Sequence, residues 1–214
     1  FTLFIEIKKG VEVKIVSRYN QYRAVGKIIQ NLREGTTPYE KGGVVWHTQG
    51  SGKSLTMVFL IRKLRSTDDL KDLKIISIVD RIDLEDQLSD TLKYSNESLS
   101  IINSRADLKL LSDDTTDLNL VMMHKFLADN NVSAQSLIDA GIVPKFEKFE
   151  TINNSDKILL LIDEAHRTQG GDMGDNLFSA FPNATRIGFT GTPLITERHE
   201  IKTHERFGGR LNED

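Results

Sequence analysis

Two short segments of the chain carry residue types that act on phosphate groups. The first is the glycine-rich GSGKS at 50–54, and the second is DEAH at 163–166. Glycines let a backbone curl so that its N–H groups converge on phosphate oxygens, and a helix that begins there adds the positive end of its dipole. Carboxylates hold Mg²⁺ or orient an attacking water. The pair of segments therefore predicts a site that binds and hydrolyses a nucleotide.

Within the glycine-rich loop, Lys53 is predicted to reach the β- and γ-phosphates and Ser54 to offer its hydroxyl to Mg²⁺. The long form of such loops begins with glycine six places before the lysine, where this chain has His47. That departure leaves the entry geometry of the loop open. The alternative is a glycine-rich turn with a surface lysine. The other predicted nucleotide contacts in this loop are Thr48, Gln49, Gly50, Ser51, Gly52 and Leu55.

The acidic segment ends a run of apolar residues, LLLI, that is typical of a buried strand. Asp163 is predicted to hold Mg²⁺ and Glu164 to orient and deprotonate the attacking water. Acidic residues also end many strands simply as solvated groups, but the presence of GSGKS in the same chain favours the catalytic interpretation. His166, beside the carboxylates, is predicted to sense the γ-phosphate; the alternative is an ordinary surface histidine.

A third segment, GFTGTP at 188–193, follows the acidic one along the chain. Thr190 and Thr192 would place hydroxyls near the nucleotide, and Gly191 between them permits close backbone approach. We predict that these three residues couple the state of the nucleotide to movement of a domain. The alternative is a strand that ends in an ordinary glycine-proline turn.

The elements that must position these segments follow an alternating pattern of short apolar runs and helical stretches. Continuous apolar runs are typical of strands that are covered on both faces. A helix is predicted at 53–65 and another from about Asp83. Repeated β and α units indicate an α/β fold, a doubly wound and mostly parallel sheet. The predicted strands are 42–47, 73–80, 99–102, 118–124, 157–163 and 185–190.

The first 35 residues are predicted to form a small extension. Residues 1–17 alternate apolar and polar positions around a glycine, which indicates a β-hairpin outside the main sheet, and 18–35 has the spacing of an amphipathic helix ended by Gly35. We therefore divide the chain into an extension at 1–35 and a main α/β domain at 36–214. The part that most resembles a loop is 129–156.

Composition narrows the function classes. Hydrophobic residues make up 38% of the 214 residues and charged residues 28%, as in a globular protein. There is no cysteine for a disulfide or thiolate metal site, and no apolar run near the ~20 residues that cross a bilayer. We expect no membrane partner and a cytoplasmic location. The net charge of -3 argues against an autonomous nucleic-acid binder. Because the chain starts with Phe1 and stops in a polar run, we expect a piece of a longer protein.

The three motifs in this order resemble the first motor domain of superfamily 2 helicases and translocases. More narrowly, the chain is similar to the motor, or R, subunit of type I restriction-modification enzymes. The segments that carry this resemblance are RYNQYRAV, GGVVWHTQGSGKSLTM, VDRIDLEDQ, DEAHRTQ and PNATRIGFTGTPL. The resemblance covers about 18–195 and implies a RecA-like P-loop fold.

The resemblance also implies roles for residues outside the three motifs. Gln21 matches a glutamine that reads the adenine edge, with Arg18 or Tyr19 beside the base; the alternative is an ordinary exposed helix residue. Arg81 and Lys125 match segments that face the DNA path, so both are predicted to contact DNA phosphates. Arg81 could instead form a cap or salt bridge.

Two other patterns are weaker. Glu6 and Lys8 have the Glu-x-Lys spacing of a restriction nuclease site, but no aspartate partner precedes them and alternation along a strand explains them better. The five histidines share no metal-ligand spacing, so a zinc site is not expected.

The hypothesis that follows is the ATP-dependent translocase part of a type I site-specific deoxyribonuclease. It implies ATP and Mg²⁺ as cofactors, double-stranded DNA as substrate, and modification and specificity subunits as partners. In that family the nuclease is a separate domain, and a second motor lobe completes the ATP site, so weak nucleotide binding and negligible turnover are expected of this chain alone. The alternatives are another superfamily 2 helicase or translocase, a small P-loop kinase, and a nucleotide-gated interaction module without turnover.

Overall fold

The structure of the chain is a computed structural model. It describes residues 2–8, 11–48, 50–79, 99–102, 104, 106–113, 115, 117–126, 150–168, 172–192 and 206–213. The predicted helix from about Asp83, the predicted DNA contact Arg81, and most of the loop-like stretch at 129–156 lie outside these residues.

The described residues form nine strands and four α-helices. The strands are β1 Thr2–Lys8, β2 Val11–Val16, β3 Gly43–Trp46, β4 Lys74–Val79, β5 Leu99–Ile102, β6 Leu118–Met122, β7 Ile158–Asp163, β8 Thr185–Thr190 and β9 Arg210–Glu213. The helices are α1 Tyr19–Glu34, α2 Pro38–Lys41, α3 Lys53–Arg65 and α4 Asp172–Ala180.

The main sheet has seven strands within the described ranges, in the order β5-β6-β4-β7-β8-β3-β9. Every pairing recorded in it is parallel. β8, the eighth strand along the chain, lies between β3 and β7. The predicted parallel α/β sheet is therefore confirmed.

The hydrophobic core lies on both faces of this sheet. Along β7, Leu159 and Leu161 face one cluster of buried side chains, whereas Leu160 and Ile162 face the other. Helices α1 and α3 contribute to the first cluster and α4 to the second. This arrangement explains why β7 reads as an unbroken apolar run: alternate side chains point to opposite faces, and both faces are covered.

Helix α1 turns an apolar stripe toward α3 and the sheet, with its buried positions at helical spacing. The helix stops before Gly35, as predicted, and the N–H of Gly35 donates to Asn31 O at 2.9 Å. Gly35 itself has φ -69° and ψ 143°, an extended conformation. The glycine is needed for close packing: a Cβ at this position would lie 2.7 Å from the backbone nitrogen of Lys41.

The predicted N-terminal hairpin is also present. β1 and β2 pair antiparallel in a two-stranded sheet of their own, with Thr2 opposite Val16 and Glu6 opposite Glu12. Glu6 and Lys8 lie two positions apart on β1, and the pairing with β2 shifts register between them.

Some elements differ from the prediction. β6 ends at Met122 and a 3₁₀ turn, Met123–Phe126, follows where the strand was predicted to continue. Helices α2 and α4 and strand β9 were not predicted. In the part of the chain that the structure describes, no helix is long and apolar enough to cross a membrane.

Candidate functional site

The three predicted motifs meet because their strands are neighbours in the sheet. β8 pairs with β3 on one side, with Trp46 opposite Thr190, and with β7 on the other, with Asp163 opposite Phe189. Because the strands are parallel, their carboxyl ends lie at the same edge. The glycine-rich loop, the acidic segment and the threonine segment therefore leave the sheet side by side, although they are far apart in the sequence.

The glycine-rich loop has the backbone of a phosphate cradle. Gly50 and Gly52 have φ values of 80° and 88°, in the left-handed region that favours glycine. A Cβ at Gly50 would meet nothing within 4 Å, so open space lies beside the loop there. The buried hydroxyl oxygen of Ser51 has no hydrogen-bond partner among the described residues. Helix α3 begins at Lys53 and directs its N-terminus into the loop.

The departure at His47 does not disturb the entry into this loop. His47 is fully buried, and its backbone N–H donates to Thr190 O at 3.0 Å, which extends the pairing of β3 with β8 by one residue. Among the described residues the only positive φ at a residue other than glycine belongs to Glu164, so His47 has an ordinary backbone conformation. A side chain is therefore tolerated where the longer motif has glycine.

Lys53 and Glu164 join the loop to the acidic segment. Lys53 Nζ lies 3.3 Å from Glu164 Oε1, and the two side chains are 10% and 23% exposed. Glu164 has φ 47°, an uncommon value for a residue with a Cβ. Strained backbone of this kind occurs most often at functional sites, where the surrounding structure holds it in place. Here it follows the last residue of β7 and directs the carboxylate toward the lysine.

His166 connects Glu164 to the threonine segment. Its Nδ1 lies 3.3 Å from Glu164 Oε2, 2.9 Å from Thr190 Oγ1 and 3.5 Å from Thr192 Oγ1. The N–H of Thr192 donates to Thr190 Oγ1 at 3.1 Å. A proton on Nδ1 suits this site because an ionised carboxylate can only accept hydrogen bonds. The three motifs thus form one continuous polar network.

Gln21 reaches the loop from α1. Its Nε2 donates to Gly52 O at 3.2 Å, and its Oε1 accepts from the N–H of Arg18 at 2.9 Å. The side chain is only 2% exposed, so the alternative of an ordinary exposed helix residue is wrong. Tyr19, by contrast, is 76% exposed beside it.

The remaining predicted nucleotide contacts surround this centre. Asp163 is 4% exposed at the end of β7, Ser54 and Leu55 are partly buried in the first turn of α3, and Thr48 is exposed. Gln49 lies outside the described residues. No group of three or more acidic or histidine side chains that could enclose a metal occurs within the described ranges. One carboxylate and one hydroxyl suit Mg²⁺, which usually combines few protein ligands with waters and phosphate oxygens.

The predicted DNA contacts can be located only in part. Lys125 is partly buried in the 3₁₀ turn after β6, which shares the carboxyl edge of the sheet but is two strands away from β7. Arg81 follows β4, between those two strands, but lies outside the described residues.

One contact at the site was not predicted from the sequence. The indole Nε1 of Trp46 donates to Gly191 O at 3.2 Å, and this bond ties the end of β3 to the threonine segment. The sequence does contain a signal that could have indicated this contact. It is a tryptophan at the last position of the strand that precedes the glycine-rich loop.

Comparisons with known proteins agree with this arrangement. The chain is 31% identical over 227 residues to the type I restriction enzyme HindI endonuclease subunit of Haemophilus influenzae, covering 97% of this chain. It is 34% identical over 212 residues to the putative type I restriction enzyme MjaVIIIP endonuclease subunit of Methanocaldococcus jannaschii, covering 91% of this chain. In both cases the match spans 20% of the relative's length. The predicted resemblance to these endonuclease subunits is confirmed.

The fold has solved counterparts. The SWI2/SNF2 ATPase core of Sulfolobus solfataricus in complex with double-stranded DNA matches with a TM-score of 0.53 at 18% identity, over 84% of this chain and 32% of that one. This likeness shows the fold, which is an α/β RecA-like fold. The family model described as SWI2/SNF2 ATPase matches residues 20–213. The chain therefore belongs to the SWI2/SNF2 ATPase family.

Proposed function

We propose that the chain is the first motor lobe of an ATP-dependent double-stranded DNA translocase, in the endonuclease subunit of a type I restriction enzyme. One observation carries the proposal. The network from Lys53 through Glu164 and His166 to Thr190 joins the ends of three adjacent strands. Lys53, which would bind phosphate, is in contact with Glu164, which would orient the attacking water. Glu164 is in turn in contact with His166, which could respond to both.

The loop residues supply the binding part of this function. Open space beside Gly50, the unpartnered hydroxyl of Ser51 and the start of α3 at Lys53 together fit a chain of phosphates. Gln21 lies at the same loop and carries the amide that would read the adenine edge, with the exposed ring of Tyr19 available to stack on the base.

Asp163 and Ser54 are the residues that would hold Mg²⁺. The ion would neutralise charge on the phosphate oxygens when it is bound. Asp163 suits this role because it is nearly buried at the end of β7, where little water competes for its oxygens.

Hydrolysis would depend on a change of partner at Lys53. In the free chain its ammonium group pairs with Glu164. A γ-phosphate would compete for the same ammonium group, and this would release Glu164 to orient a water and accept its proton. His166 remains within 3.3 Å of that carboxylate, so it would register the change.

Coupling would pass from His166 to the segment after β8. Thr190 accepts the N–H of Thr192, and Trp46 holds Gly191 from the neighbouring strand. Any movement of His166 would therefore shift Thr190, Gly191 and Thr192 together. We assign these residues to communication with a second motor lobe.

The DNA and protein partners in this proposal are taken from the related proteins. The chain spans about a fifth of those endonuclease subunits, so translocation, cleavage and assembly with modification and specificity subunits belong to the proposal for the whole protein. Arg81 and Lys125 are proposed to contact DNA phosphates. The location in the cell is proposed to be the cytoplasm.

The test is hydrolysis by the full-length endonuclease subunit in its complex, with and without double-stranded DNA. We expect DNA to stimulate hydrolysis, and we expect Lys53→Ala to abolish it while leaving complex assembly unchanged. Vigorous hydrolysis by the Lys53→Ala subunit would refute the proposal. Nucleotide binding with no turnover in any complex would instead support an interaction module, and transfer of phosphate to a metabolite would support a kinase.

A further inference from the structure

A cavity lies at the opposite edge of the sheet from the candidate nucleotide site. Its volume is about 320 Å³, and Arg186, Arg206 and Tyr39 are among its lining residues. Arg186 is the second residue of β8, and Thr190 is the last residue of that strand. At ~3.3 Å per residue the two positions are roughly 13 Å apart along the strand.

Arg186 is a partly buried cation that has no counter-charge among the residues that the structure describes. Its guanidinium lies 4.2 Å from the centre of the Phe178 ring. Its Nε is buried and has no hydrogen-bond partner among the described residues, where no ion pair of Arg186 is recorded either. Stacking on an aromatic ring stabilises a guanidinium but does not use the hydrogens in its plane. The Nε hydrogen of Arg186 therefore has no acceptor among the described residues.

Arg206 brings a second positive charge to the same ring. Its guanidinium lies 5.6 Å from the centre of Phe178, and its Nη1 donates to Asp175 Oδ1 at 2.9 Å. Asp175 therefore offsets the charge of Arg206, whereas no carboxylate of the described ranges pairs with Arg186. The described residues that line the cavity include no Asp or Glu.

The pKa of Arg186 agrees with a positive charge that no carboxylate of the described residues offsets. Burial lowers the pKa of the Arg186 guanidinium from its ordinary value, and the nearby charge of Arg206 lowers that pKa further. Arginine nevertheless remains protonated in proteins. An unpaired buried charge is costly, and its cost falls when a group of opposite charge accepts its hydrogen bonds.

We propose that this cavity is a binding site for an oxyanion, a phosphate or carboxylate group, held by Arg186 with support from Arg206. Planar guanidinium groups bind such oxygens through pairs of parallel hydrogen bonds. The exposed ring of Tyr39 and the proline side chain of Pro182 line the remaining wall, so the group that carries the anion would be small and partly apolar. The site is separate from the nucleotide site and does not depend on the proposed function.

The experiment observes Arg186 directly. In the full 214-residue chain, the ¹⁵Nε–¹H signal of Arg186 is assigned by its loss in Arg186→Met and is then followed during titrations with inorganic phosphate and, separately, with succinate. We expect a saturable shift with at least one of the two anions. A response to phosphate alone identifies a phosphoryl ligand, and a response to succinate identifies a carboxylate ligand. No saturable shift with either anion would overturn the proposal.

Variants separate this site from the glycine-rich loop, which also binds phosphate. In Lys53→Ala the response of Arg186 should persist, because the two sites are at opposite edges of the sheet. In Arg206→Met the affinity should fall roughly ten- to hundredfold, since hydrogen bonds to charged groups are lost. Lys63→Met removes an exposed cation of α3 and should leave the titration unchanged. Loss of the response in Lys53→Ala, or an unchanged affinity in Arg206→Met, would count against the site.

Stability gives an independent readout. Met keeps the aliphatic stem of Arg186 but removes its charge, so Arg186→Met should unfold at the same temperature as the parent chain or a higher one when no anion is present. Phosphate or succinate should raise the unfolding temperature of Lys53→Ala but not that of the Lys53→Ala, Arg186→Met double variant. An equal rise in both would overturn the assignment to Arg186.

Discussion

The side-chain amide of Gln21 donates a hydrogen bond to the carbonyl of Gly52 at 3.2 Å, so the first helix is bound to the glycine-rich loop. Gly52 has φ 88°, and a Cβ at this position would lie 2.7 Å from the Nε2 of Gln21. The conformation of the loop and the position of the Gln21 side chain therefore depend on each other.

We expect Gly52→Ala to lower the free energy of unfolding by about 1–2 kcal/mol, the usual cost of a left-handed conformation for a residue with a Cβ. The new methyl group should also displace Gln21. Part of the loss should therefore disappear in a Gln21→Ala background, with a coupling of at least ~0.5 kcal/mol in a double-mutant cycle. Urea unfolding of the four proteins measures both quantities.

Gly50→Ala is the matched control for this cycle. Gly50 also has positive φ, but a Cβ there would meet nothing within 4 Å. Its effect should add to that of Gln21→Ala without coupling. Equal coupling at both glycines would show that the contact between Gln21 and Gly52 is not the cause.

Lys53→Ala should weaken nucleotide binding by the chain roughly ten- to hundredfold, since hydrogen bonds to charged groups contribute ~1.5–3 kcal/mol. A titration with a fluorescent ATP analogue measures this. Lys63→Ala, an exposed lysine on the same helix, is the control and should bind like the parent chain. Equal affinity in Lys53→Ala would mean that the nucleotide binds elsewhere.

Glu164→Gln should separate binding from hydrolysis. It keeps the size of the side chain but cannot accept a proton, so turnover by the full-length subunit with DNA should fall by about 10²–10⁴. Nucleotide affinity should not fall, because the variant no longer holds Lys53 in an ion pair. Turnover close to that of the parent protein would exclude Glu164 as the proton acceptor. Glu34→Gln, on α1, controls for the loss of one charge.

The hydroxyl of Thr190 connects His166 and Thr192 through hydrogen bonds. Thr190→Val removes the hydroxyl with little change in shape, so the stimulation of hydrolysis by DNA should fall while nucleotide affinity stays within about twofold. Thr190→Ser keeps the hydroxyl and should retain the stimulation. Loss of stimulation in Ser and Val alike would point to packing of the fully buried Thr190 side chain instead.

Acid should weaken the turn that leads into β3. The carboxylate of Glu40 accepts hydrogen bonds from the hydroxyl and N–H of Thr36 and from the N–H of Thr37, which lower its pKa from 4.5 to about 2. A pKa below the unfolded value means that the stabilisation is complete above about 4.5 and is lost as the pH falls toward 2. An NMR titration of the Glu40 carboxyl group checks the pKa itself.

Glu40→Gln supplies the control for stability. Above pH 4.5 the parent chain should be the more stable of the two, and this difference should shrink as the pH falls toward 2, because only the parent loses a carboxylate at this position. A difference in urea midpoint that is independent of pH over this window would contradict the assigned role.

Much of the sheet could be predicted because strands that are buried on both faces appear in the sequence as continuous apolar runs. The bounds of β5, β8 and α3 agree with the predicted ranges to the residue. β9, with sequence RLNE, gave no such signal because an edge strand needs only one partner and little apolar surface. Helix α4, with sequence DMGDNLFSA, has a glycine and two aspartates within nine residues, and α2 is a single turn.

The residues of the candidate site were predictable, but their contacts were not. The residue types in GSGKS and DEAH are enough to predict phosphate chemistry. The contact between His166 and Thr190, by contrast, depends on the order of strands in the sheet. The burial of Gln21 depends on where α1 begins relative to Gly52. Nothing in the sequence singles out Arg186, because an arginine in a strand has no pattern that shows its partner to be missing.

The order of strands also dictates when the site can exist during synthesis. β3 and β7 do not pair with each other, because β8 lies between them. A nascent chain that has emerged only as far as Asp163 holds both the lysine loop and the acidic segment, yet it lacks the strand that brings them together. The chain must therefore be synthesised as far as Thr190 before the two segments can be brought together. We therefore expect the candidate nucleotide site to form only after β8 has been synthesised.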